Sequence, residues 1–401
     1  MPNLAPFRGL RYAAGIALDG VVAPPYDVIL ENDRDHLEAT SINNAVRLIL
    51  PRALDSLDPY QTAARLANEW RETDVLILES SPALYAYSMT TAEDHQTIGV
   101  IGALAINGPT GEILPHECTL PKARSDRLAL LRATRMNLDP IWGLSMTSGL
   151  TKILETIPRP QQTSIDNVRH ELGVIDNPEL IKEISNLIAL SPLVLADGHH
   201  RYETARNYLA EAETSGDKRT GNAFIMTLIV ELSESVLDVE PIHRLVSSAP
   251  KRLREDLGLL GELVPIGPND SHHVERLESE MQSRSGIGFI DAQGIALFIP
   301  DAKELARRLE SEPSELHSVD SVRFDQIVRP LLKGSDLAYR SDGQKVAAAI
   351  KANEFDCAIL LRAVSVLEIE AVAQRQLRMP EKTTYFAPKP RTGMVFRDLD
   401  Y

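Results

Sequence analysis

Four apolar residues, Leu193-Val194-Leu195-Ala196, run into Asp197-Gly198 and then into His199-His200-Arg201-Tyr202-Glu203-Thr204-Ala205. An apolar run stopped by an Asp-Gly pair reads as a buried strand ending in a tight turn. Tyr202, Ala205, Tyr208 and Leu209 then recur at helical spacing, so a helix follows the turn at once. Two histidines and an arginine therefore occupy the first turn of a helix. Backbone N–H groups and the helix dipole favour anions at that place. A positive side chain there opposes the dipole, so helix stability alone does not call for it. A phosphate gains from both. The plainer reading is a strand-to-helix turn with solvated polar side chains. Adjacent helical residues point about 100° apart, so His199 and His200 make a poor chelating pair.

Bulk properties narrow the classes of function. A chain of 401 residues suggests two or three domains, or one large elaborated one. A net charge of -15 argues against broad binding to a phosphate backbone, though a local basic pocket is compatible with it. Cys118 and Cys357 are the only cysteines, too few for a disulfide framework or a paired CxxC metal site. With no signal-like start and no apolar run near the ~20 residues of a membrane helix, a cytoplasmic protein is expected. The GxxxxGKS/T loop, the GxSxG elbow, a strand-linked GxGxxG and HExxH are all missing from the sequence.

The periodicity predicts a helix over Pro59 to Glu72, strands at 83–87 and 98–106, and a helix over Ser125 to Thr134. The pattern weakens between Trp142 and Asp176. A helix over 181–190 and a strand over 223–230 flank the central turn and helix. From Ser248 the texture changes to charged helical stretches, at 252–261 and 273–284, alternating with a short hairpin over 287–299. Two regions are expected. Residues 1–247 carry the turn and the chemistry. Residues 248–401 form an α+β region whose tail returns to the core.

Other clusters could serve the same chemistry. His116-Glu117-Cys118 precedes Lys122, Arg124, Arg127, Arg132 and Arg135, so a histidine and a carboxylate stand before a run of basic residues. Asn137-Leu138-Asp139-Pro140 reads more simply as a turn. Pro24-Pro25-Tyr26-Asp27 is a stiff loop presenting a phenol and a carboxylate, and His243-Arg244 follows a strand. Lys382, Thr383 and Lys389 lie between prolines in the tail, where lysines and hydroxyls suit an anion.

These motifs, taken in order, resemble a prokaryotic family of unknown function, DUF1015. The matching pieces are PFRGLRY at 6–12, VVAPPYDVI at 21–29, NAVRLILP at 44–51, PHECTLPK at 115–122 and LLRATRMNLDPIWGL at 130–144. ADGHHRYETA at 196–205, PIHRLV at 241–246 and MPEKTTYFAPKPRTGMV at 379–395 complete the set. Cys118 departs from the pattern, where an arginine is expected. The central turn is also similar to the phosphate-binding turn of the ParB/sulfiredoxin superfamily. Gly198, His200 and Arg201 match its phosphate contacts. His199 stands in place of the sulfiredoxin cysteine, which excludes sulfiredoxin chemistry. The serine-kinase branch is the better match, and the acidic chain counts against a DNA-binding branch.

The resemblance implies an α/β (α+β) fold with a ParB/sulfiredoxin-like core and additional α+β elements. It implies phosphoryl transfer between serine and phosphoserine, as a phosphoserine phosphatase or as a kinase using ADP or ATP with Mg2+. Gly198, His199, His200 and Arg201 would hold phosphate, and Asp197 would orient a hydroxyl or the metal. Glu117, with Asp197, His199 and His200, forms the catalytic set, and Asp27 is the second candidate base. Tyr26, Asp27, His116, Lys122, Arg135, His243, Arg244, Lys382, Thr383 and Lys389 are the further pocket candidates. The competing class is a non-catalytic nucleotide- or phosphometabolite-binding regulator. Neither a nucleic-acid nor a membrane partner is expected.

Overall fold

The structure is a computed structural model that describes residues 1–108, 112–115, 124–233 and 235–401. The glutamate, histidine and lysine expected at 117, 116 and 122 lie outside the described residues. The chain forms two compact units. The first takes the described residues of Met1–Pro115, Thr119–Asp238 and Pro388–Tyr401, and the second takes Val239–Ala387. No helix among the described residues is long and apolar enough to cross a membrane. Mixed and antiparallel sheets combined with helices make this an α/β, α+β protein.

The first unit is built on a nine-stranded mixed sheet. In chain order its strands begin with β1 (Leu4–Ala5), while β2 (Gly9–Tyr12) and β3 (Leu76–Leu78) belong to a smaller sheet. Then come β4 (Leu84–Thr90), β5 (Gln96–Ala105), β6 (Ile113–Pro115), and β7 (Met136–Asn137), which is again in the smaller sheet. The rest are β8 (Ile141–Ser145), β9 (Gln161–Ile165), β10 (Val168–Ile175), β11 (Leu193–Asp197) and β12 (Phe224–Glu231). The order across the large sheet is β6-β11-β8-β12-β5-β4-β10-β9, with β1 against β5. Strand β11 lies parallel to β6 and antiparallel to β8, and its register with β8 slips between Leu195 and Asp197. A slip of this kind re-aims the strand end beside the turn.

Leu193, Val194 and Leu195 are buried on both faces of β11, as an unbroken apolar run requires. Leu193 and Leu195 pack with Ile141, Ile225, Ile229, Tyr202 and Ala205 in one core cluster. Each such aliphatic side chain contributes roughly 1.5–3 kcal/mol by leaving water. Helix Pro59–Glu72 starts as the sequence predicts. Asp58 caps it by accepting from Gln61 N at 2.9 Å, and Pro59 takes the first helical position.

The segment with no readable period, between Trp142 and Asp176, holds helix Leu150–Glu155 and the β9–β10 hairpin. Its turn places Asp166 at φ 52° and Asn167 at φ 61°. Strand β9 reads Gln-Gln-Thr-Ser-Ile and ends the sheet, so it carries no apolar alternation.

His170, in β10, is 1% exposed and shares a 2.8 Å hydrogen bond between its Nδ1 and the Tyr87 hydroxyl. Burial, reinforced by the charge of Arg391, pushes its imidazole down to about 3. The fold thus keeps His170 neutral, while the unfolded chain protonates it below about 6.5. Its contribution is complete above that pH and is lost as pH falls towards the folded value. At about pH 5 the loss amounts to about 2 kcal/mol relative to about pH 7. His170→Gln is expected to remove this part of the acid sensitivity, read from denaturant midpoints at the two pH values.

The second unit holds a six-stranded antiparallel sheet. Its order is Gly261–Gly267, Gly294–Pro300, Ile287–Asp291, Cys357–Leu360, His243–Ser247 and Asp336–Arg340. His243–Ser247 is an inner strand, so residues 239–247 go with this unit. Alternate residues serve two cores: Leu245 and Ala358 in one, Val246 and Ile359 in the other. Helices therefore cover both faces, as period-two burial requires.

Candidate functional site

The site grows from the end of β11. Gly198 takes φ +84°, in the left-handed region, and turns the chain straight into helix His199–Ser215. A Cβ at this position would lie 2.8 Å from Ile141 Cγ2, so both the conformation and the close approach to β8 require glycine. Tyr202 N donates to Gly198 O at 2.9 Å and closes the first helical turn. Tyr202, Ala205 and Tyr208 are buried, while His199 and His200 are half-buried. The helical period thus commits one face to the core and leaves the polar first turn at the strand end.

Two cations converge on Asp197. Arg201 donates through Nη2 to Asp197 Oδ2 at 2.7 Å, and through Nη1 to Pro140 O at 2.6 Å. Lys389 donates to the other carboxylate oxygen, Oδ1. Burial opposes the charge of Asp197, but Lys389 and Arg201 outweigh it and hold the carboxyl below the usual range. Burial also works against the Arg201 charge, and Asp197 and Asp139 more than restore it. The result is a clamp of two cations on one carboxylate at a helix start, with one positive charge in excess.

Beside this clamp lies a cavity of about 60 Å³, lined in part by Tyr26, Arg127, Asp139, Arg201 and Thr204. Asp139 is 7% exposed, and Thr392 donates from its hydroxyl to Asp139 Oδ1. Burial raises the Asp139 carboxyl above its ordinary value, against the pull of Arg201 and of the Thr392 hydrogen bond. The Tyr26 ring lies 4.3 Å from Arg127 Cζ and 6.0 Å from Arg201 Cζ, measured to its centroid. Such cation–π contacts hold the Pro-Pro-Tyr loop against the basic side chains. Burial raises the Tyr26 hydroxyl, which stays a neutral donor near neutral pH. Thr204 Oγ1 and Arg201 Nε are buried with no hydrogen-bond partner among the described residues.

The family model described as "Protein of unknown function (DUF1015)" matches residues 4–318. The chain belongs to that family. No curated protein matches. Among solved structures, it is similar to a conserved hypothetical protein from Pyrococcus furiosus, at 13% identity and TM-score 0.37, over 73% of this chain and 91% of that one. It is similar to a free serine kinase in complex with AMP, at 12% identity and TM-score 0.37, over 72% of this chain and 87% of that one. A third is SbnI with C-terminal truncation from Staphylococcus aureus, at 12% identity and TM-score 0.40, over 75% of this chain and 87% of that one.

In this family member the expected site residues divide into groups. Asp197, Gly198, His199, His200, Arg201, Tyr26 and Lys389 come together at the turn. Asp27 is exposed in the short turn Tyr26–Val28, close enough for its charge to act on Arg201 and Asp139. Arg135 instead pairs with Asp400 at 2.7 Å and also bonds the Tyr208 hydroxyl.

His243, Arg244, Lys382 and Thr383 belong to the second unit. There His243 is buried and its Nδ1 accepts from Leu361 N at 3.2 Å. Burial, with the Arg244 charge, pushes its imidazole down to about 4. The Arg244 guanidinium lies over the Phe324 and Tyr339 rings. Thr383 is buried and donates to Pro380 O at 2.7 Å, and Lys382 is exposed.

Asp197 does not suit a resident Mg2+ in this arrangement. Mg2+ demands a near-octahedral oxygen shell. Both Asp197 oxygens are taken by cations, and no group of three or more His, Cys, Asp or Glu side chains among the described residues is placed for a metal.

Asp139, Thr204 and Thr392 were not singled out by sequence reasoning. Asp139 carried one usable signal. It is a carboxylate enclosed by Leu138, Ile141 and Trp142, and a charge in an apolar run is buried only when something holds it.

Proposed function

We propose that this protein transfers a phosphoryl group on a small hydroxyl-bearing metabolite, with serine and phosphoserine as the first substrates to test. The convergence of Arg201 and Lys389 on one carboxylate at a helix start carries the reading. Asp197 neutralises one of their two positive charges, which leaves a net positive charge for an anion. An entering phosphate can then share their N–H donors and those of the helix start. Phosphoryl transfer asks a protein mainly for positioning and for charge stabilisation of this kind. ADP or ATP would meet the clamp through its terminal phosphates and supply the transferable group. Phosphoserine hydrolysis would use the same clamp. Serine enters through the similarity of the turn to the serine-kinase branch.

A regulator that binds a phosphometabolite needs the clamp but no group to move a proton. The buried Asp139 carboxyl beside the clamp favours an enzyme. The test is a pair of assays with added Mg2+: serine with ADP or ATP, followed by phosphoserine formation, and phosphoserine alone, followed by phosphate release. Turnover is expected in one of them. Phosphate binding with no turnover in either would leave the regulator reading in its place.

A further inference from the structure

We propose that the cavity beside the turn receives the reacting hydroxyl of the substrate, and that Asp139 is the catalytic residue that takes its proton. This rests on the phosphoryl-transfer reading above.

Two polar groups lining the cavity can take a further hydrogen bond. The Asp139 carboxyl makes one hydrogen bond among the described residues, from Thr392, and that bond uses Oδ1. Thr204 is 3% exposed, and its hydroxyl has no partner among those residues. Both line the same cavity. An unpaired buried hydroxyl such as that of Thr204 is costly, so a ligand group that pairs with it and also bonds the second Asp139 oxygen is favoured. A hydroxyl does so in one step: it donates to Asp139 and accepts from Thr204. An alkyl group would satisfy neither. The cavity, at about 60 Å³, has room for a few waters or a hydroxymethyl group.

Arg201 couples the two places. It bonds Asp197 in the clamp and the carbonyl of Pro140, the residue after Asp139. The charges that act on Asp139 are Arg201 and Arg127, both positive, and Asp27, negative. Burial keeps its proton affinity above that of an ordinary aspartate, which is the direction a general base near neutral pH needs.

In the forward step the substrate hydroxyl oxygen attacks the terminal phosphorus of a nucleoside polyphosphate. Its proton passes to Asp139 as the new O–P bond forms. The bond from phosphorus to the bridging oxygen breaks, and the shortened nucleotide leaves with that electron pair. In the reverse step the protonated Asp139 returns the proton to the departing hydroxyl oxygen.

Asp139→Asn keeps the shape of the side chain and an acceptor for Thr392 but cannot take the proton. With serine as acceptor, kcat is expected to fall at least about 100-fold, while KM for the nucleotide stays within about threefold. The melting temperature is expected to hold, and the acid limb of the kcat–pH profile to vanish. A variant that keeps kcat within about threefold of wild type overturns the role of Asp139. Thr204→Val is the second probe, and it stands if Asp139→Asn does not fold. It is expected to raise KM for serine about tenfold, and an unchanged KM overturns the hydroxyl contact.

If wild type transfers no phosphoryl group, the functional reading fails by itself, and calorimetric titration with serine then decides the cavity. Binding by wild type that weakens about tenfold in Thr204→Val sustains the hydroxyl site. Absence of serine binding to wild type, or equal binding by both proteins, overturns it.

Discussion

Arg201→Met is expected to lower phosphoryl transfer by about 10³-fold or more, the scale on which an arginine acts on a transferring phosphoryl group. The side chain has three roles that one substitution removes. It bonds Asp197, it bonds Pro140 O, and its charge opposes that of Asp139. Asp197 would be left to Lys389 alone, and the Asp139 carboxyl would rise further. Arg201→Lys is expected to recover little, because an ammonium group cannot reach Asp197 and Pro140 O with separate donors as the planar fork does. Measurement of kcat/KM with phosphate titration and melting temperature in parallel checks this. Loss of stability with unchanged turnover would make Arg201 a structural tie and remove the clamp from the proposed chemistry.

Gly198→Ala is expected to destabilise the first unit by about 3 kcal/mol. Left-handed backbone costs an alanine about 1–2 kcal/mol. The new Cβ also meets Ile141 Cγ2 at 2.8 Å, and overpacking of this kind costs about 1–3 kcal/mol. Gly216 serves as the control. It caps the other end of the same helix at φ +75°, and a Cβ there would meet nothing within 4 Å. Gly216→Ala is therefore expected to cost only the conformational part, about 1 kcal/mol. Urea midpoints of the two variants compare the effects. Equal losses would show that the approach of the turn to β8 relaxes freely.

The turn itself was legible because every signal for it is local. Apolar Leu193 to Ala196, the Asp-Gly pair and the helical recurrence of Tyr202, Ala205 and Tyr208 sit within one short stretch. The Pro59–Glu72 helix was legible for the same reason, with an acid at its cap and proline at its start. The β9–β10 hairpin was not. Strand β9 is polar at the sheet edge, so no burial pattern marks it. Asp139 was read as part of a turn because Asn-Leu-Asp-Pro has turn chemistry in any context. Its surroundings include Thr392, Arg201, Tyr26 and Ile49, which lie far from it along the chain.

By itself the sequence determined that a strand ends in a glycine turn with His199, His200 and Arg201 at the start of a helix. Backbone sterics, capping and side-chain periodicity act over a few residues and are written in local order. Residue type also marked Lys389 as suited to an anion. Only the tertiary structure decided that Lys389, 192 residues from Asp197, completes its ion pair, and that Thr392, 253 residues from Asp139, holds that carboxyl. Which charges face each other depends on where the chain returns. That return is set by burial of the whole first unit, which places Pro388–Tyr401 with the strands that carry the turn.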